Sequence, residues 1–238
     1  MSEDIAKFNA ANAALDFVRD GMVVGLGTGS TAASFVRQLG ERVRQGLHVR
    51  GVPTSEATRN LAEQAGVPLL EISQVAAIDI DIDGADEVDP AFRLIKGGGG
   101  ALLREKIVAA ASTRMVVIAD ESKWVDTLGA FPLPVEAARF GFALTQQRVR
   151  EALTATGCAG AEVTLRTSGK AREPVVTDGG NYILDAHALR IPNPEALSVA
   201  LKNIAGVVEH GLFIGLAHTV ILGKAKGAEV KSQDGAHP

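Results

Sequence analysis

Short apolar runs alternate with amphipathic stretches through the first 128 residues of the chain. Ile5, Phe8, Leu15 and Val18 recur at helical spacing and predict an amphipathic first helix that stops near Asp20-Gly21. Residues 22–26 form an apolar run of strand length that enters the turn Gly27-Thr28-Gly29-Ser30, and a helix with Phe35, Leu39 and Val43 on one face follows. Residues 48–52 predict a second strand, Ser55 a cap for a helix ending near Gly66, and residues 67–70 a third strand.

Residues 77–83 alternate strictly, which puts Ile78, Ile80 and Ile82 on one side of a strand and Asp79, Asp81 and Asp83 on the other. Asp79 and Asp81 read as a solvated face or as helix-capping partners. Beyond the glycine run at 97–100 the pattern predicts a helix over 101–111, a strand over 114–119 and a short helix over 122–128. Alternation of strand and helix implies a doubly wound, largely parallel, Rossmann-like α/β sheet.

The rhythm changes at Phe131-Pro132-Leu133-Pro134. From there the pattern predicts strand 133–137, helix 144–156, strands 161–166, 175–178 and 181–187, helix 194–204 and strand 206–213. That β-α-β-β-α-β order suggests a smaller α+β domain of ferredoxin-like type. The expected division is an α/β catalytic domain at 1–130 and 214–238, with the small domain at 131–213. Residues 219–222 and 229–231 return to the first domain, and the tail from Lys231 to Pro238 is expected to fray.

Composition narrows the function. The chain has 238 residues, a formal charge of −4 and only 4% aromatics, so Val, Ile, Leu and Ala must build its core. Mild acidity gives no footprint for nucleic acid or an anionic membrane, and an anionic ligand would have to be met by local charge. Cys158, the single cysteine, excludes an internal disulfide and a paired-cysteine metal or redox site. The N-terminus lacks a signal-peptide pattern, and the apolar stretch 211–223 is too short to span a bilayer. A cytoplasmic protein is expected.

Three segments carry candidate chemistry. Gly25-Leu26-Gly27-Thr28-Gly29-Ser30-Thr31 joins a strand to a helix, so free N–H groups, a positive dipole end and hydroxyl donors suit a phosphate monoester. It is a poor dinucleotide motif, since Ser30 takes the place of the third glycine, and it lacks the Gly-Lys-Ser/Thr ending of a nucleotide loop. Asp83-Gly84-Ala85-Asp86-Glu87-Val88-Asp89 follows the alternating strand, where ligands of parallel sheets bind, and its crowded carboxylates suit proton transfer. A calcium loop is the rival reading, against which stands the irregular ligand spacing. Lys96-Gly97-Gly98-Gly99-Gly100 opens onto a helix bearing Glu105 and makes a second corner compatible with an anion or oxyanion. Histidine is absent from all three segments, so carboxylate acid–base chemistry on a phosphorylated small molecule is the inference.

Together with Arg-Glu-Lys at 104–106, Ala-Asp-Glu-Ser-Lys at 119–123 and Phe-Pro-Leu-Pro-Val-Glu at 131–136, these segments resemble ribose-5-phosphate isomerase A in order and near-family spacing. The resemblance implies an aldose–ketose isomerase of the non-oxidative pentose phosphate pathway. It would interconvert D-ribose 5-phosphate and D-ribulose 5-phosphate through an enediolate, with no metal or organic cofactor, as a cytoplasmic homodimer. Carried over by motif, Glu105 is the base between C1 and C2. Asp83, with Asp86 beside it, serves ring opening and proton traffic, and Lys96 stabilises the oxyanion. Thr28, Gly29, Ser30, Thr31 and Lys123 hold substrate oxygens, mainly of the phosphate, while Gly84, Ala85, Gly97, Gly98 and Gly99 complete the substrate contacts. Lys7 is a weaker phosphate candidate on a generic helix.

Three other functions compete for these residues. A sugar-phosphate sensor would need a DNA-binding module, for which the first helix leaves no room. A deaminase or lactonase acting on phosphorylated sugars would need added ammonia or water. A coenzyme A transferase would need a glutamyl nucleophile.

Overall fold

A computed structural model describes residues 2–169 and 172–233. In chain order the helices are α1 (Ser2–Ala14), α2 (Ser30–Arg44), α3 (Glu56–Ala65), α4 (Leu102–Ala111), α5 (Phe142–Ala155) and α6 (Pro194–Lys202). The strands begin with β1 (Val23–Leu26), β2 (Arg50–Pro53), β3 (Ile80–Asp83), β4 (Glu87–Val88), β5 (Leu94–Ile95), β6 (Met115–Asp120), β7 (Leu133–Ala137) and β8 (Glu162–Leu165). They continue with β9 (Thr167–Ser168), β10 (Glu173–Pro174), β11 (Tyr182–His187), β12 (Val207–His210), β13 (Leu212–Phe213), β14 (Ala217–Lys224) and β15 (Gly227–Ser232). They group into two compact units. One contains Met1–Ala85, Arg104–Trp124 and Gly215–Pro238; the other contains Asp86–Leu103 and Val125–Ile214. The division expected from the sequence differs in placing residues 86–103 with the first group and cutting the chain at 130.

The first unit holds a six-stranded sheet in the order β15-β14-β6-β3-β1-β2, parallel except for the β14–β15 hairpin at one edge. This is the largely parallel α/β sheet read from the sequence. Val24, Leu26, Ile80 and Ile82 pack with Phe35 and Leu39 of α2 and with alanines of α1 on one face. Val23, Val52 and Ile78 pack with Val108 of α4 on another. Ile78 therefore leaves the row of Ile80 and Ile82, because regular β3 pairing starts only at Ile80. Asp81 and Asp83 are fully buried rather than solvated, since a central parallel strand is covered on both faces. Asp79 stays exposed and accepts from the Val23 N–H at 2.7 Å.

α1 reverses an expectation. Ile5 and Phe8 are half exposed, and the buried face is Ala6, Ala10, Ala11 and Ala14. Small side chains win because α1 lies so close to β14 that a Cβ on Gly223 would overlap the Ala6 carbonyl. The helix ends at Ala14, and a single 3₁₀ turn carries the buried Leu15 and Phe17. Ser55 caps α3 as expected, accepting from the Thr58 N–H at 3.1 Å, and Gly66 ends it in the left-handed conformation. The strand expected at 67–70 shrinks to one parallel bridge between Gly51 and Leu69, and the helix expected at 122–128 to a 3₁₀ turn at Glu121–Lys123. Glu229 on the edge strand β15 lies 2.7 Å from Lys224 and 2.6 Å from Lys231, whose hydrogen bonds lower its carboxyl pKa to about 2.

The second unit contains the ferredoxin-like order β7-α5-β8-β11-α6-β12, its sheet running β12-β7-β11-β8 with antiparallel neighbours. The strand expected over 206–213 divides at Gly211. Its first part stays in that sheet as β12 and its second, β13, pairs with β5 in a separate three-stranded sheet with β4. Backbone crowding marks the break, where a Cβ on Gly211 would overlap the Lys96 carbonyl. The strand expected at 175–178 is reduced to a bridge between Val176 and Tyr182. Cys158 is buried, and loss of solvent pushes its thiol pKa up, which makes it an inert core residue. The tail expected to fray retains β15 pairing through Ser232, and residues 234–238 lie outside the described residues.

Candidate active site

In the first unit, four parallel strands present their carboxyl ends side by side in the order β6, β3, β1, β2. From β1 comes the turn Gly27–Gly29, from β2 Thr54 and Ser55, from β3 Asp83–Ala85 and from β6 the 3₁₀ turn with Lys123. Ligands of open parallel sheets bind at this edge.

Glycine and carboxylate interlock between β1 and β3. A Cβ on Gly25 would come within 2.6 Å of Asp81 Oδ1, and a Cβ on Gly27 would overlap both the carboxylate and the Cα of Asp83. Asp83 Oδ1 in turn accepts from the Thr28 N–H at 3.1 Å and the Gly84 N–H at 2.6 Å. Two peptide donors thus fix one oxygen of a fully buried carboxylate.

The Thr28 hydroxyl faces inward. It lies 2.8 Å from the hydroxyls of Thr54 and Ser55 and 3.1 Å from that of Thr58, which itself donates to the Gly27 carbonyl at 2.9 Å. These contacts brace the turn, and the same hydroxyl is one of those expected around an anion. Gly29 precedes α2 with φ 113° and ψ 176°, a conformation nearly confined to glycine. Ser30 is exposed at the start of α2 and Thr31 is buried.

Glu105 lies in the first turn of α4 and is only 3% exposed. It shares a helix face with Val108, three residues on, which approaches Gly25 together with Asp81. Its neighbour Arg104 instead reaches Glu56 at 2.7 Å, and that hydrogen bond holds the Glu56 carboxyl below its ordinary range. Lys123 is half buried after β6, where Asp120 caps the turn through the Ser122 N–H at 3.1 Å. Lys7 sits 2.5 Å from Glu3 on α1.

The second unit carries the rest of the sequence candidates. Lys96 is 2% exposed, its N–H bonds the Gly211 carbonyl at 2.9 Å, and its Nζ lies 5.5 Å from the centre of the Phe213 ring. Gly97 adopts φ 105° where a Cβ would press on Leu102 and Pro134, and Gly98 donates its N–H to Asp86 Oδ2 at 2.8 Å. Gly98 and Gly99 are exposed.

The acidic run from 83 to 89 divides by role. Glu87 is buried and accepts the N–H groups of Gly129 at 2.6 Å and Phe131 at 2.5 Å. Asp89 accepts from the Ala91 and Arg93 N–H groups and pairs with the Arg93 side chain, whose pKa it raises. Those two acids hold loops. Among the described residues no group of three or more His, Cys, Asp or Glu side chains is arranged to hold a metal ion, and no helix is long and apolar enough to cross a membrane. Sequence reasoning missed Thr54, Thr58 and the pair Arg166–Asp185 beside the glycine loop. For Thr54 and Thr58 a signal existed, since hydroxyl residues follow the strand that pairs with β1.

The profile of ribose 5-phosphate isomerase A (phosphoriboisomerase A) matches residues 50–227. The chain belongs to that family. The matched span contains Asp83, Asp86, Lys96, Glu105 and Lys123, and begins after the turn at 28–31. Ribose-5-phosphate isomerase A of Maricaulis maris is 58% identical over 221 residues, covering 93% of this chain and 95% of the relative. That of Methylorubrum populi is 59% identical over 227 residues, or 95% of each chain. Among solved structures, a D-ribose-5-phosphate isomerase in complex with phospho-erythronic acid matches with a TM-score of 0.90 and 39% identity, over 98% of this chain and 100% of its own. Ribose 5-phosphate isomerase A from Methanocaldococcus jannaschii matches with a TM-score of 0.88 and 40% identity, over 96% and 98%. The protein is an isomerase of this family, with its parallel sheet and additional antiparallel sheets.

Proposed function

We propose that Glu105 moves the proton between C1 and C2 as the enzyme interconverts D-ribose 5-phosphate and D-ribulose 5-phosphate. The reaction is the aldose–ketose isomerisation of the family, passing through an enediolate in the non-oxidative pentose phosphate pathway. In the proposed division, Asp83 and Asp86 carry protons at the sugar oxygens during ring opening and isomerisation. The Lys96 ammonium stabilises the enediolate oxygen, and the α2 N-terminus at Gly29–Thr31, with Lys123, takes the phosphate. Thr28 contributes through its peptide group and the brace beneath it. Gly84, Ala85, Gly97, Gly98 and Gly99 let backbone approach the sugar.

The observation that carries this reading is the burial of Glu105 in the first turn of a helix whose same face covers the Gly25–Asp81 contact. A carboxylate placed there is withdrawn from bulk water, as proton abstraction from carbon requires. One relative, solved in complex with phospho-erythronic acid, supports a phosphorylated sugar as ligand. Glu105→Gln keeps the size and removes the base, so turnover should fall about 10²–10⁴-fold while substrate still binds. Solvent deuterium should enter the product of the parent enzyme and not that of the variant. Near-parental turnover would transfer the role to Asp83 or Asp86. The enzyme is also taken to work as a cytoplasmic homodimer, and sedimentation at the mass of one 24.7 kDa chain would refute the dimer.

A further inference from the structure

Arg166 follows β8 and is held by its own backbone. Its N–H bonds the Ile183 carbonyl at 2.8 Å, and its carbonyl accepts from the Val175 N–H at 2.9 Å. Its guanidinium grips Asp185 of β11 with two bonds, Nε to Oδ2 at 2.9 Å and Nη2 to Oδ1 at 2.5 Å, and both side chains are 16% exposed. The remaining donor, Nη1, reaches the carbonyls of Gly97 at 2.8 Å and Gly98 at 3.1 Å.

Those two carbonyls set the direction of two N–H groups. In a trans peptide the C=O and N–H point opposite ways. With the Gly97 carbonyl on Arg166, the Gly98 N–H of the same peptide points away from it and meets Asp86 Oδ2 at 2.8 Å. With the Gly98 carbonyl also on Arg166, the Gly99 N–H turns away from the guanidinium as well. Glycines have little intrinsic preference for one peptide orientation, so an external clamp must choose it.

We infer that Arg166, locked on Asp185, is a positioning residue that orients the Gly97–Gly98–Gly99 peptides and thereby the Asp86 carboxylate. The inference rests on the reading of Asp86 and Lys96 given above. A planar fork can hold a carboxylate and two carbonyls at once, which a lysine ammonium cannot reproduce with the same geometry.

The test is kinetic. Arg166→Ala should lower kcat about 100-fold, the scale of a small misplacement in an active site, with KM changed less than about threefold because the phosphate contacts are untouched. Methylguanidinium should restore turnover saturably in Arg166→Ala, which a general loss of stability would not permit. Asp185→Asn, which keeps the volume, should also lower kcat, and the double variant should be no slower than Arg166→Ala, since the pair acts as one unit. If Arg166→Ala does not fold, Arg166→Lys with Asp185→Asn carries the same comparison, both expected slow at parental KM. Parental kcat in a folded Arg166 variant, additive losses, or absence of rescue in folded Arg166→Ala would overturn the inference. Glu105→Gln run alongside separates the two ideas. If it is inactive while the Arg166 variants are fast, only the clamp fails; if it is active, the reading beneath it fails.

Discussion

A Cβ on Gly27 would run into the backbone of Asp83 on the neighbouring strand, whereas the atoms nearest a Cβ on Gly98 belong to the Asp86 side chain, the closest at 2.6 Å. The two glycine-rich segments look alike in sequence and do different work. At 25–27 the missing side chains make space between parallel strands, so that Asp81 and Asp83 can be buried inside the sheet layer. At 97–100 the glycines free the backbone, with φ 105° at Gly97 and 81° at Gly100, and let a peptide N–H hold Asp86 from outside. The first segment belongs to the core and ends in the turn proposed to take the phosphate. The second is a loop whose shape comes from its contacts.

Gly27→Ala is the strongest way to break that comparison. The strands cannot part without losing β1–β3 pairing, so overpacking of about 1–3 kcal/mol is expected, and larger effects if the sheet does not yield. In thermal unfolding that corresponds to about 2–4 °C per kcal/mol for a chain of this size. Turnover should fall with it, because Asp83 is displaced. A variant with parental melting temperature and turnover would show that the segment is an ordinary loop. Gly98→Ala should separate the two properties. The Asp86 carboxylate can swing aside, so stability should change by less than about 1 kcal/mol, while kcat falls towards the 100-fold scale of a misplaced group. Equal losses in stability and kcat would erase the distinction between the segments.

Much of this was legible in the sequence because local signals agreed with the fold. Ser55 and Gly66 bracket α3 as capping rules require, and β7 occupies the residues that its pattern predicts. Where local pattern failed, a tertiary contact had decided. Ile5 and Phe8 outweigh alanine in any hydrophobic pattern, yet the gap beside Gly223 admits only the alanine face of α1. Alternation at 77–83 identified the strand but could not tell that both faces of β3 would be covered, which turned Asp81 from a solvated residue into a buried one. The proposed site residues show the same division. Asp83, Asp86, Lys96 and Glu105 stand in motifs, whereas Arg166 reaches the Gly97 carbonyl from about seventy residues away and has no motif to announce it.

The smallest expected effect completes the series. Gly84 lies between Asp83 and Ala85 in the same motif, yet an added Cβ would meet only the carbonyls of Ile118 and Thr28, each at 3.8 Å, an ordinary contact distance. Its φ lies outside the left-handed region, so alanine is not strained there. Its N–H, which donates to Asp83 Oδ1 at 2.6 Å, survives the substitution. What changes is the unfolded chain, which loses freedom when glycine becomes alanine and so favours folding by about 0.4–1 kcal/mol. Gly84→Ala should therefore melt at the parental temperature or up to about 4 °C above it. Glycine in an active-site motif would then be indispensable only where a neighbour occupies the space of its missing side chain. A melting temperature lowered as far as that of Gly27→Ala would mean that the whole motif, and not the contact between β1 and β3, sets the demand for glycine.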